Sequence, residues 1–185
     1  MTSPMPFDDT EKLAHNKKRI LISREEIAAR IREMGKQISE DYRDKCPILV
    51  SVLNGGFIFC ADLFRELTID CEVDFIKISS YEDAMKTSGH VKLLKDVNAH
   101  LQGRHVLVVE DIVDSGYSVQ FLNKKLQATN PESLRFVSLL VKQGTDRVPY
   151  EVHYIGFKIP NRFVVGYGLD LAQKYRNLPD IYVMD

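Results

Sequence analysis

The apolar run Val106-Leu107-Val108-Val109 passes straight into two acids, Glu110-Asp111. A strand with one wet face alternates polar and apolar side chains, whereas a strand apolar at every position is covered on both faces. Ile48–Leu53 is a short apolar run rich in branched residues and reads as another strand, and Ser133–Val141, Cys71–Ser80, Glu151–Ile159 and Ile181–Met184 supply further strands. In Cys71–Ser80, Val73, Phe75 and Lys77 share one side. Helical patterns lie between strands, from Phe57 to Leu67 and from Val119 to Ala128, the latter with Phe121, Leu122 and Leu126 on one face. Strands that alternate with helices predict an α/β fold, an open, twisted, mainly parallel sheet flanked by helices. In such sheets ligands sit at the carboxyl ends of the strands.

Before the first strand, Ser23-Arg24-Glu25-Glu26 forms a capping box. Ile27, Ile31, Met34, Ile38 and Tyr42 follow at helical spacing, which predicts a helix from Arg24 to about Arg43. Residues Met1 to about Ile20 are expected to form an arm with little regular structure. Tyr81 to His100 break the alternation with a long polar connection, either a functional insertion or a solvated β-hairpin. The 185 residues fit a single domain, 1–185.

Lys and Arg number 25 against 26 Asp and Glu, a net charge of −1. That balance gives no electrostatic footprint for nucleic acid or for an anionic membrane. Cys46, Cys60 and Cys71 each sit among apolar residues and are expected to be buried free thiols. No basic region followed by an apolar core opens the chain, and no apolar run approaches the ~18 residues of a membrane span. A soluble, cytoplasmic protein is the expectation.

Beyond the acids, Asp114-Ser115-Gly116-Tyr117-Ser118 leads into a helix. Gly116 lets backbone N–H groups approach a ligand, Ser115 and Ser118 add hydroxyls, and the helix N-terminus adds its positive dipole end; together these suit a phosphate. Asp114 and Ser115 could instead simply cap the helix, but a cap leaves Glu110-Asp111 unexplained. Two acids beside an anion cradle suit a ligand that carries hydroxyls or a divalent ion as well as a phosphate.

This segment resembles the phosphoribosyl pyrophosphate signature of the type I phosphoribosyltransferases. More narrowly, the chain from about Ile48 to Asp185 resembles the hypoxanthine (hypoxanthine-guanine) phosphoribosyltransferases. Leu53-Asn54-Gly55-Gly56-Phe57 is similar to their pyrophosphate loop, which works through its backbone around a non-proline cis peptide. Ser80-Tyr81 is similar to the dipeptide that opens their lid. Leu140-Val141-Lys142 and Phe163–Asp170 resemble their base-binding segments, and Arg176 stands where they carry a pyrophosphate-binding arginine. The chain departs from the family at Asn54, where Lys or Arg is usual, and at Tyr117, where some members carry a basic residue.

The resemblance implies the type I fold, with a small hood built from the N- and C-terminal segments. It implies purine salvage: transfer of 5-phosphoribosyl from phosphoribosyl pyrophosphate to N9 of hypoxanthine, and of guanine, giving IMP or GMP and pyrophosphate. Mg²⁺ is the implied cofactor, with Glu110, Asp111 and Asp170 as the acids that hold it directly or through water. Glu110 and Asp111 would also hold the ribose hydroxyls, and Asp114 would accept a proton from N7 as general base. Ser115, Gly116, Tyr117 and Ser118 would bind the 5-phosphate, and Asn54, Gly55 and Arg176 the pyrophosphate. Lys142 would point at the purine O6, Phe163 would stack on the base, Val164 would present backbone groups to its edge, and Ser80 and Tyr81 would open the lid. A homodimer or homotetramer is implied as well.

Other readings fit less of the chain. A nucleic-acid-binding regulator on this fold would need a basic stretch that the sequence lacks. A receiver-like signalling domain also places two acids after an apolar strand, but leaves the glycine cradle and the segments after Lys142 without a role. An adenine, orotate or uracil acceptor is at odds with Lys142 and the Phe163–Asp170 segment.

Overall fold

The computed structural model describes residues 18–80, 91–144 and 150–184. The elements run β1 (Lys18–Ile22), α1 (Arg24–Asp41), β2 (Ile48–Leu53), α2 (Phe57–Glu66), β3 (Glu72–Ser80), β4 (Val91–Lys95) and β5 (His105–Val113). Then come α3 (Tyr117–Gln127), β6 (Ser133–Lys142), β7 (Tyr154–Ile159), β8 (Val164–Val165) and β9 (Ile181–Met184). The main sheet has the order β4-β3-β2-β5-β6-β7 and a second, smaller sheet the order β1-β9-β8. All pairs of the main sheet are parallel except β3–β4.

Both faces of the main sheet are packed because its central strands carry apolar side chains on both sides. On one face Leu49, Leu107, Val109, Val137 and Leu139 meet Ile27, Ile31, Met34 and Ile38 of α1 and Phe59 and Leu63 of α2. On the other, Val50, Ile76, Val106 and Val108 meet Val119, Leu122 and Leu126 of α3. Fully burying each such side chain stabilises the fold by about 1.5–3 kcal/mol. α1 begins at the expected capping box, where the Ser23 hydroxyl accepts from Glu26 N–H and the Glu26 carboxylate accepts from Ser23 N–H. A Cβ on Gly35 would come within 2.7 Å of Glu66 Cβ, so this glycine sets the close approach of α1 and α2.

Two expectations are corrected, and the open reading of the polar connection is narrowed. Lys18–Ile20, placed in an irregular arm, belong to the strand Lys18–Ile22, which pairs with β9; residues 1–17 lie outside the described residues. β3 and β4 form an antiparallel pair, so the polar connection is a hairpin at its base; residues 81–90 lie outside the described residues. Val73 and Phe75, on the side of β3 that the sequence grouped together, are exposed. Cys46 is exposed and Cys71 half-buried, and only Cys60 is buried; all three are free. The small sheet joins the N- and C-terminal segments into the hood.

Candidate active site

Chain order and spatial order diverge between β2 and β5. From β2 the chain moves outward through β3 and β4, then returns to β5 on the other side of β2 and continues through β6 and β7. A crevice at such a switch point, outside the carboxyl ends of the strands, is where open α/β sheets bind ligands. The loops that flank it are Asn54-Gly55-Gly56 after β2 and Asp114-Ser115-Gly116 after β5.

Glu110 and Asp111 lie within β5, so their side chains leave opposite faces of the sheet. Glu110 is buried, and burial together with the adjacent Asp111 pushes its carboxyl well above the usual carboxylate range. Asp111 is raised too, chiefly by burial, with Ile112 N–H donating to it at 2.9 Å. A Cβ on Gly55 would stand 1.6 Å from Asp111 Oδ2. The backbone of the β2 loop therefore lies directly on the β5 acid, and only glycine fits. The peptide Leu53–Asn54 is cis, as the family resemblance implied.

The cradle starts with Gly116, the N-cap of α3, at φ 78° and with no side-chain cap. The capping role considered for Asp114 and Ser115 is thus not the one they take. α3 also begins at Tyr117, earlier than expected, so Tyr117 and Ser118 occupy its first turn. Asp114 Oδ2 instead accepts from Lys142 Nζ at 2.6 Å. Lys142 ends β6 and is 9% exposed, while Asp114 is open to solvent. A donor-only group and an acceptor-only group therefore stand side by side at the mouth of the crevice.

The hood contributes the third segment. Gly166, Tyr167 and Gly168 all have positive φ, and Gly166 and Leu169 exchange N–H···O bonds across the turn. A Cβ on Gly168 would come 2.3 Å from Gly55 O, so the two glycine backbones touch. Arg176 donates to Gly168 O at 2.7 Å and pairs with Asp170 at 2.8 Å. Both Arg176 and Asp170 act on the Asp111 carboxyl, the cation lowering its pKa and the anion raising it. Asn54, Gly55, Asp111, Asp170 and Arg176, spread over more than a hundred positions, thus converge.

Val164 is buried in β8, and Phe163 beside it is exposed, its carbonyl accepting from Met184 N–H at 3.1 Å. Ser80 closes β3 opposite Val91, and Tyr81 lies outside the described residues. Gly168 and Tyr167 were not singled out from sequence; the signal for Gly168 was the glycine pair that flanks Tyr167. Among the described residues, no three His, Cys, Asp or Glu side chains gather to hold a metal, and no helix is long and apolar enough to cross a membrane.

The family described as phosphoribosyl transferase domain matches residues 21–172. The chain belongs to the phosphoribosyltransferase family. Proteins named hypoxanthine or hypoxanthine-guanine phosphoribosyltransferase are similar to it over most of its length. Hypoxanthine phosphoribosyltransferase of Escherichia coli (strain K12) is 46% identical over 164 residues, 88% of this chain and 92% of that one. The bifunctional TilS/HprT protein of Listeria monocytogenes (strain F2365) is 41% identical over 94% of this chain, which spans only 27% of that longer protein. A crystal structure of a hypoxanthine-guanine phosphoribosyltransferase from Bacillus anthracis superposes with a TM-score of 0.86 at 42% identity, covering 92% of this chain and all of that one.

Proposed function

We propose that the chain, acting as one domain over residues 1–185, transfers 5-phosphoribosyl from phosphoribosyl pyrophosphate to N9 of hypoxanthine or guanine in purine salvage. The observation that carries this is the Lys142–Asp114 pair at 2.6 Å. A 6-oxopurine presents, side by side along one edge, the O6 acceptor and the N7–H donor. An ammonium has only donors and a carboxylate only acceptors, so the pair complements that edge. Adenine sets an amine donor against the lysine's own donors, and a site built to donate to a keto oxygen discriminates strongly against a base without one.

In the reaction N9 bonds to C1′ of the ribosyl group, the bond from C1′ to the pyrophosphate oxygen breaks, and Asp114 takes the N7 proton. The sugar passes through an oxocarbenium-like state. Gly116 and the N-terminus of α3, with Ser115, Tyr117 and Ser118, hold the 5-phosphate. Glu110 and Asp111 accept from the ribose hydroxyls. The Asn54-Gly55 backbone and Arg176 receive the pyrophosphate. Phe163 covers the base, Val164 meets its edge, and the segment opening at Ser80-Tyr81 excludes water from the ribosyl centre.

Mg²⁺ fits the donor set. It is usually bound through one or two carboxylates together with substrate oxygens; Asp111, with Asp170 across the crevice, would hold it, and Glu110, on the opposite face of β5, would reach it only through water or a ribose hydroxyl. When bound it neutralises charge that gathers on the departing pyrophosphate. Exposed Phe57, Val73, Phe75 and Leu94 support assembly into a homodimer or homotetramer. A cytoplasmic location with no nucleic-acid or membrane partner suits the near-neutral charge.

The test is turnover of hypoxanthine, guanine, xanthine, adenine and uracil with phosphoribosyl pyrophosphate and Mg²⁺. Nucleotide formation from hypoxanthine or guanine, with little from adenine or uracil, is expected. No turnover of any 6-oxopurine would overturn the reading.

A further inference from the structure

Tyr167 stands in the hood turn, yet its side chain leaves the crevice and runs back into the core. It is buried at φ 49° between two left-handed glycines, Gly166 and Gly168. Its hydroxyl donates to Asp62 of α2, 105 positions away in sequence, and Asp62 is also paired with Arg65. Burial first, and then the Asp62 carboxylate, keep the phenol protonated far above its ordinary range, so it stays a donor.

The position of that bond matters because of what adjoins each end. α2 follows directly on Asn54-Gly55-Gly56, and Gly56 O accepts from Cys60 N–H at 2.9 Å, fixing the loop to the helix. Gly168, next to Tyr167, rests on Gly55 O and accepts from Arg176. The two backbone turns touch through atoms that cannot attract each other strongly, since a glycine Cα packs on a carbonyl oxygen. The hydroxyl–carboxylate bond supplies the attraction.

We infer that Tyr167, through Asp62, is a positioning residue that sets the separation of the Asn54-Gly55 turn from the Gly168–Arg176 segment, and so the width of the pyrophosphate subsite. This rests on the proposed reaction for the identity of the ligand. The base side is held separately. β8 pairs with β9, and Lys142 stands on β6, so neither depends on the tether.

The experiment compares wild type, Tyr167→Phe, Asp62→Asn and the double variant. Binding of inorganic pyrophosphate with Mg²⁺ is measured by calorimetry, alongside KM for each substrate and the melting temperature. Losing one hydrogen bond to a charged acceptor should weaken pyrophosphate binding about five- to tenfold. KM for phosphoribosyl pyrophosphate should rise equally, with KM for hypoxanthine unchanged and the double variant no worse than the weaker single.

A bond that served stability alone would lower the melting temperature and leave pyrophosphate binding as in wild type, which would overturn the inference. Equal rises in both KM values, or additive single effects, would overturn it too. An inactive wild type would count against the proposed reaction, whereas the calorimetric comparison judges Tyr167 regardless of turnover.

Discussion

Two buried acids of the main sheet meet opposite fates. Asp74 on β3 accepts from Phe75 N–H at 2.7 Å, Asn98 N–H at 2.6 Å and Ala99 N–H at 2.8 Å, with Lys95 at 3.7 Å. Burial pushes its carboxyl up, but the three backbone donors and the lysine outweigh burial and hold it below the usual range. Glu110 on β5 is as deeply buried and is raised by burial and by Asp111, with no donor among the described residues to offset them. Asp74 fastens the chain that follows β4 to the sheet, and its interactions are complete. Glu110 is incomplete until a ligand arrives. A buried charge that the protein satisfies is structural, and one that it leaves unsatisfied marks where hydroxyls or a cation belong.

The largest effect should come from a third acid, Asp114, which is neither buried nor idle. Asp114→Asn keeps the size of the side chain and removes the proton acceptor, so kcat for hypoxanthine should fall about 10²–10⁴-fold in steady-state assays. Full activity would return Asp114 to the role of a mere partner for Lys142. Lys142→Met should narrow the preference for hypoxanthine over adenine by roughly 10²-fold, read from the ratio of kcat/KM values.

Asp74→Asn tests the satisfied acid. Its amide cannot accept from all three backbone donors, and chemical denaturation should show a loss of about 3 kcal/mol, with kcat of the folded enzyme little changed. A large kinetic effect without loss of stability would reverse the contrast with Glu110.

The smallest effect is in pH. A carboxyl raised in the folded state contributes stability that is present below its unfolded pKa of about 4.3 and lost as pH rises through the raised value. The ligand-free wild type should therefore lose stability relative to Glu110→Gln as pH climbs from about 4.3 toward neutrality. Asp74 works the other way, since its lowered pKa gives stability that is lost as pH falls below about 3.9. Melting curves of both variants should lie nearest wild type at low pH and part from it in opposite directions as pH rises, Glu110→Gln gaining on wild type and Asp74→Asn falling behind it.

Sequence reading reached the regular parts of the molecule and stopped where tertiary contacts take over. β2, β5, β6 and α1 were legible because apolar runs and helical spacing are local signals, and the cradle was legible because Gly116 interrupts them. Lys18–Ile22 was missed because its Lys, Arg and exposed Ile20 show no buried face; it is a strand only because β9 lies beside it. β8 has only two residues. The stretch from Gly166 to Tyr175 holds four non-glycine residues at positive φ, Tyr167, Ala172, Gln173 and Tyr175. No side-chain periodicity encodes such a path, which is set by backbone bonds to Leu178 and Arg176 and by the Tyr167–Asp62 tether. The Lys142–Asp114 bond was also invisible, although both residues were named.

Glu110 is left incomplete for the sake of a ligand. Glu110→Gln decides it through two numbers from one preparation, the melting temperature without ligand and kcat/KM for phosphoribosyl pyrophosphate. An unchanged or higher melting temperature with a loss of about 10²-fold or more in kcat/KM is expected. A lower melting temperature with kcat/KM intact would show that Glu110, like Asp74, belongs to the scaffold.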